Sequence, residues 1–170
     1  MRRPDLVDVW IYRQPGQSRD DSASSGAEIL MLHRSPHRIL PGLWQGVSGL
    51  VEPDETIVGA ALREVAEETG LGGPAIDAFF HLDYVAEFLW EESDALMTSA
   101  YFAIRVRPDW QPTLSPEHDE HRWLPIQEAI DFAVWPGYRE ALTRVRDNLL
   151  DPERALWFAV ALPETMQLLD

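Results

Sequence analysis

The sequence predicts an α+β or α/β sandwich rather than a helical bundle, and three observations predict it. Apolar, β-branched runs alternate irregularly with amphipathic helical segments along the 170 residues. Residues 56–69 form a helix with sharply divided faces. Hydrophobic residues make up 45% and charged residues 25%, the balance of a chain that buries a core, and the length suits one domain over 1–170.

Residues 7–13 (VDVWIYR) and 27–33 (AEILMLH) read as strands. Residues 14–26 between them are rich in Gly, Ser and Asp, which predicts a mobile hairpin loop. Pro and Gly then punctuate SPHRILPGLWQGVSGLVEP around a short strand at Trp44–Val47. The helix over 56–69 (TIVGAALREVAEET) has Asp54 or Glu55 upstream to satisfy its first free N–H groups, and Gly70 beyond its last turn as the C′ residue. Residues 78–90 and 96–106 read as two longer strands, with EESDA supplying the turn. HRWLP reads as another short strand, and IQEAIDFA and GYREALTRVRDNLL as helices. The second helix carries Tyr138, Leu142, Val145 and Leu149 at helical spacing. Residues 151–170 are apolar in the middle, and WFAVAL there suits either a last core element or a homodimer contact.

Net charge is −15, from 14 Lys and Arg against 29 Asp and Glu. A bulk nucleic-acid partner requires a basic face, because phosphate neutralisation drives that affinity. A small phosphorylated substrate stays compatible, since a bound divalent cation inverts the local field. There is no cysteine, which excludes disulfide and thiolate chemistry and cysteine-based zinc sites. No stretch approaches the roughly 18 apolar residues of a membrane span, and MRRPDLVDVWIYR lacks the apolar run of a signal peptide. A cytoplasmic protein with no membrane partner is expected.

The chemistry concentrates in Gly49–Leu71, GLVEPDETIVGAALREVAEETGL. At about 100° per residue, with Glu64 at zero, Glu67 falls near −60° and Glu68 near +40°. Val58, Leu62, Val65 and Thr69 fall between about +100° and +160°. One face is therefore apolar and the other presents three carboxylates. Repulsion between such neighbours costs only about 0.2–0.5 kcal/mol per pair in a solvated helix, so clustering alone does not separate a site from a solvated acidic face. Hard Mg²⁺ or Mn²⁺ prefers carboxylate oxygens and leaves positions for water and phosphate. Three glutamates on one rigid face can supply both metal ligands and a base. Arg63 can hold one of them by a forked hydrogen bond.

This segment resembles the Nudix box, G-x5-E-x7-R-E-U-x-E-E-x-G-U with U aliphatic. Gly49, Glu55, Arg63, Glu64, Val65, Glu67, Glu68, Gly70 and Leu71 fill every defined position. The resemblance implies a mixed β-sheet between helices, an α/β/α sandwich, and divalent-metal-dependent hydrolysis of a pyrophosphate linkage. By resemblance Glu64 and Glu68 would be the main metal ligands and Glu67 a further ligand or the base. Glu55 and Arg63 would support the geometry, with Gly49 allowing the tight loop. The competing reading, a silent nucleotide-sensing or scaffold module of the same fold, expects erosion of the acidic set, and every acid of the pattern is present.

Outside the box, WQGVSG, Glu117-His118 with Trp123-Leu124, and Trp135 with Arg139–Leu142 resemble stretches of the dATP and dihydroneopterin triphosphate pyrophosphohydrolase branch. A (deoxy)nucleoside or pterin triphosphate is the implied substrate, with other nucleoside-diphosphate-linked compounds open. Glu117 is a candidate further metal ligand or catalytic acid, with Asp119 and Glu120 as competitors. Trp44 either stacks on a flat substrate ring or packs in the core. Gln45 either hydrogen-bonds substrate or caps its strand. Arg34 either binds phosphate or lies on the surface. The histidines, His118 among them, read as surface or structural groups.

Overall fold

The computed structural model describes residues 3–15 and 26–163. Most of the predicted loop (16–25) and the last residues of the C-terminal segment (164–170) lie outside these described residues.

Alternation along the first strand sets the architecture. β1 (Leu6–Arg13) sends Val7, Val9 and Ile11 into one buried cluster and Trp10 and Tyr12 into another. A strand buried on both sides needs cover on both sides. The other strands are β2 (Glu28–Arg34), β3 (Trp44–Gln45), β4 (Val47–Leu50), β5 (Ile76–Trp90), β6 (Ala95–Val106) and β7 (His118–Pro125). They form one sheet in the order β3-β2-β1-β6-β5, with β4 paired to β1 and β7 to β2. β1 and β6 run parallel and the remaining pairs antiparallel, so the sheet is mixed.

Helix α1 (Ile57–Thr69) covers one face, packing Leu62 and Val65 with Val9, Leu32 and Ile104. Helices α2 (Ile126–Phe132) and α3 (Pro136–Arg144) cover the other, packing Ile126, Ala129 and Leu142 with Trp10, Met31 and Leu82. Each such large side chain contributes about 1.5–3 kcal/mol through burial. The arrangement is the sandwich that the resemblance implies. No helix among the described residues is long and apolar enough to cross a membrane.

Local expectations change in three places. Helix α1 is capped by Thr56, whose Oγ1 accepts from Gly59 N–H at 2.9 Å, and not by Asp54 or Glu55. Thr56 takes the extended backbone of an N-cap, whereas the Glu55 carboxylate is occupied by Arg63. The helix expected through residue 150 opens into one wide π-turn at Val145–Leu149, which keeps both of those side chains buried. The C-terminal segment, as far as it is described, lies along the sheet edge with only Ala155 buried, while Leu156 and Trp157 are 75% and 84% exposed. Helix α4 (Pro152–Ala155) is capped by Asp151, then Ala159 bridges Phe80 and Val160 N–H donates to Phe79 C=O at 2.8 Å on the edge of β5. Phe158 packs against one buried cluster, and Val160 and Leu162 against the other.

Candidate active site

The acids of α1 differ in burial. Glu68 is 3% exposed, while the side chains of Glu64 and Glu67 are 14% and 60% exposed. The open three-carboxylate face expected from the helical wheel is therefore graded: Glu68 lies at the border of the apolar stripe, and the chain that enters β7 closes over it. Ser115 N–H donates to Glu68 C=O at 3.0 Å and Thr113 N–H to Thr69 C=O at 2.8 Å, which pins this chain to the end of α1. Gly70 takes φ +68° there and donates its N–H to Ala66 C=O, the left-handed helix end that glycine adopts without strain.

Arg63 holds the entry side. Its Nε and Nη2 donate to Glu55 Oε1 and Oε2, both at 3.0 Å, and Nη2 also donates to Leu50 C=O at 3.0 Å. Its Nη1 reaches Glu64 Oε1 at 2.7 Å and Glu67 Oε2 at 3.2 Å. The paired guanidinium holds the Glu55 carboxyl below the ordinary carboxylate range. The Glu64 carboxylate lies directly over Gly49, where a Cβ would overlap it.

Burial leaves the Glu68 carboxyl poorly solvated. Loss of water pushes its carboxyl up to about 9, with Glu64 and Glu117 adding to the rise and Arg34 and the Ser48 N–H opposing it. Its Oε2 has no hydrogen-bond partner among the described residues. His118 Nδ1 lies 3.7 Å away, with a fully buried ring whose two nitrogens also lack partners. Burial and then Arg34 hold His118 down to about 4.

Glu117 stands at the mouth of this pair, 3.5 Å from Arg38 Nη1 and 3.9 Å from Arg34 Nη1. Its backbone is tied to the end of β2, since Ser35 N–H donates to Glu117 C=O at 2.9 Å and Ser35 Oγ to Pro116 C=O at 3.0 Å. Arg34 is not the surface arginine weighed as an alternative. Its side chain is 15% exposed, and Nε donates to Ile39 C=O at 2.8 Å. Asp119 is drawn away to His33 Nδ1 at 2.6 Å, and Glu120 to Arg122. Among the described residues no three acids or histidines converge as ion ligands. Arg63 draws Glu64 one way, His118 neighbours Glu68, and Arg34 and Arg38 flank Glu117.

Trp44 packs within the protein and also faces solvent. Its ring packs near His33 and Phe132, with Arg122 Cζ 4.6 Å from its centroid. It also lines an open groove of about 460 Å³ with Leu40, Leu43, Phe132 and Val134. Gln45 is buried, and its Nε2 has no hydrogen-bond partner among the described residues.

His118, read from the sequence as surface or structural, is buried, so the surface alternative falls. Sequence reasoning passed over Asp8, which is buried on the α3 side of the sheet. There burial pushes the Asp8 carboxyl up to about 6, and it accepts from Ser99 Oγ at 2.5 Å. Nothing in VDVWIYR marks that aspartate out from an exposed strand position.

The NUDIX domain family profile matches residues 6–145. The octanoyltransferase of Myxococcus xanthus is 36% identical over 120 residues, 69% of this chain and 32% of that protein, so this chain spans about a third of that relative's length. The asymmetrical bis(5'-nucleosyl)-tetraphosphatase of Sus scrofa is 34% identical over 104 residues, 58% of this chain and 67% of that protein. The dihydroneopterin triphosphate pyrophosphohydrolase of E. coli superposes with a TM-score of 0.66 at 25% identity, covering 86% of this chain and 97% of that one.

Proposed function

The chain belongs to the Nudix family, and from that premise we propose that it hydrolyses a pyrophosphate linkage in a nucleoside or pterin triphosphate with a divalent cation as cofactor. The observation that carries this reading is Glu68. A carboxylate 3% exposed, without a partner for one oxygen and flanked by two further acids, is costly unless a cation neutralises it. The oxygen donors suit Mg²⁺ or Mn²⁺. Glu64 and Glu68 would hold the ion; Glu67 and Glu117 would have to turn from Arg63 and from Arg34 and Arg38 to join them. When bound, such an ion screens phosphate charge and acidifies water.

The chain's own groups supply the rest. Arg63 orients Glu64 and Glu67 through Nη1 while anchoring itself on Glu55 and Leu50 C=O. Glu67, the most exposed acid of the helix, can accept a proton from the attacking water. The new bond joins water oxygen to phosphorus, and the bridging P–O bond breaks with its electron pair leaving on the departing phosphate. Arg34 is the cation available to a phosphate oxygen beside Glu68. The apolar groove at Trp44 suits a flat ring, whose stacking is worth about 1–3 kcal/mol. The apolar lining favours such a ring over a sugar as the group bound there.

The test is a hydrolysis panel of (deoxy)nucleoside triphosphates, a pterin triphosphate, nucleotide sugars and dinucleoside polyphosphates, each with Mg²⁺, with Mn²⁺ and with EDTA. Metal-dependent release of pyrophosphate from a triphosphate is expected. Metal-independent turnover, or no cleavage of any member, would reject the reading.

A further inference from the structure

The N-terminal segment grips the loop that enters the acidic helix. Arg3 Nη1 donates to Pro53 C=O at 2.9 Å, and Nη2 donates to Glu52 C=O at 3.3 Å and to Glu55 C=O. Two residues on, Asp5 fastens the same segment to β6: its Oδ2 accepts from Thr98 N–H at 2.7 Å and Thr98 Oγ1 at 2.9 Å. Val51 N–H donates to Asp5 C=O at 2.9 Å. Residues 3–5 therefore join the 51–55 loop to the rigid sheet across nearly fifty positions of sequence.

A guanidinium suits this role. Its donors lie in one plane and are always charged, so one side chain can satisfy several carbonyls of a turn at once. The turn preceding α1 contains Pro53, and the carbonyls that Arg3 collects have no helical ladder to enter. The Arg3 charge also lowers the Glu55 carboxyl, behind the larger effect of Arg63. Glu55 is the forked anchor of Arg63, and Arg63 orients Glu64 and Glu67. Displacement of the loop is transmitted through this chain of ionic hydrogen bonds to the carboxylates.

We infer that Arg3 is a positioning residue for the acidic helix, acting through the 52–55 loop and the Glu55–Arg63 pair; its consequence for turnover rests on the hydrolase reading above. Arg3 touches no reacting atom, so its loss perturbs alignment of the acids rather than capture of substrate. Groups acting at one remove on a metal site typically change activity by about 10- to 100-fold; Arg63 is that group here, and Arg3, two steps further out, should fall at or below the lower end.

The experiment compares Arg3→Ala and Arg3→Lys with the unaltered chain. Hydrogen exchange on metal-free protein should show faster exchange across residues 51–59 in Arg3→Ala, with the β1–β6 ladder unchanged. With dATP and Mg²⁺, kcat should fall by about tenfold or less with KM nearly constant, and Arg3→Lys should recover part of both effects. Unchanged exchange over 51–59 overturns the inference. So does an Arg3→Ala variant whose exchange rises equally throughout the chain, which would mark a general loss of stability. If the unaltered chain fails to cleave any member of the substrate panel, the hydrolase reading fails instead, and the exchange result still decides whether Arg3 holds the loop.

Discussion

Replacing Glu68 by glutamine removes one buried ionisable group while keeping its shape. With no cation bound, burial pushes the folded Glu68 carboxyl from its ordinary 4.5 up to about 9. Between these values the folded state retains a proton that the unfolded state releases, so stability falls as pH rises. His118 acts in the opposite sense, because its folded value near 4 lies below 6.5. Stability from that group is gained between about 4 and 6.5 and is constant above. The window from 6.5 to 9 therefore isolates Glu68. At about 1.4 kcal/mol per pH unit, the unaltered chain should lose at most about 3 kcal/mol across it. Denaturant unfolding in EDTA at pH 6.5 and pH 9 measures this loss directly. Glu68→Gln should lose much less over the same interval. With Mg²⁺ present the unaltered chain should regain stability at the alkaline end, and hydrolysis by the variant should collapse. A flat stability profile for the unaltered chain would refute the burial argument, and a variant with undiminished turnover would refute the ligand assignment.

Other consequences are as direct. Gly49→Ala puts a Cβ where the Glu64 carboxylate sits; that flexible side-chain end can swing aside, so stability should change little while turnover falls sharply, and chemical unfolding and single-substrate kinetics check both. Trp44→Ala should raise KM for a ring-bearing triphosphate by about 5- to 160-fold, the equivalent of one lost stack, with little change in kcat. If KM holds constant while stability drops, Trp44 is a packing residue only. Thr56→Ala removes the α1 cap and should lower unfolding free energy by about 1 kcal/mol, while Asp54→Ala should have no comparable effect.

The strands were legible because β-branched and apolar residues crowd into short runs, and α1 because its apolar positions recur at helical spacing between an N-cap and Gly70. Contacts that depend on distant partners were not legible. His118 sits in a polar stretch, EHDE, that reads as solvated, and only the pairing of β7 with β2 encloses it. Arg34 ends a strand as many exposed arginines do, and the loop that turns back over it through Ile39 lies outside the reach of a periodicity argument. Asp54 and Glu55 were reasonable caps on composition. Choosing Thr56 required knowing that Glu55 was already committed to Arg63, eight residues on. Arg3 carries no local signal, since its partners are about fifty residues away.

The last strand of the sheet shows how a chain can finish its own surface. β5 has β6 on one side, and its other backbone edge would invite a strand from another molecule. Along its first half the C-terminal segment occupies that edge at Phe79 and Phe80. Further on, an irregularity between His81 and Val85, with Asp83 at φ +48°, breaks the even spacing that a foreign strand would need. The border is thus sealed at one end and buckled in its middle. The described C-terminal residues thus cover part of this edge, and a chain cut after Phe158 should leave Phe79 and Phe80 open to pairing with a strand from another molecule.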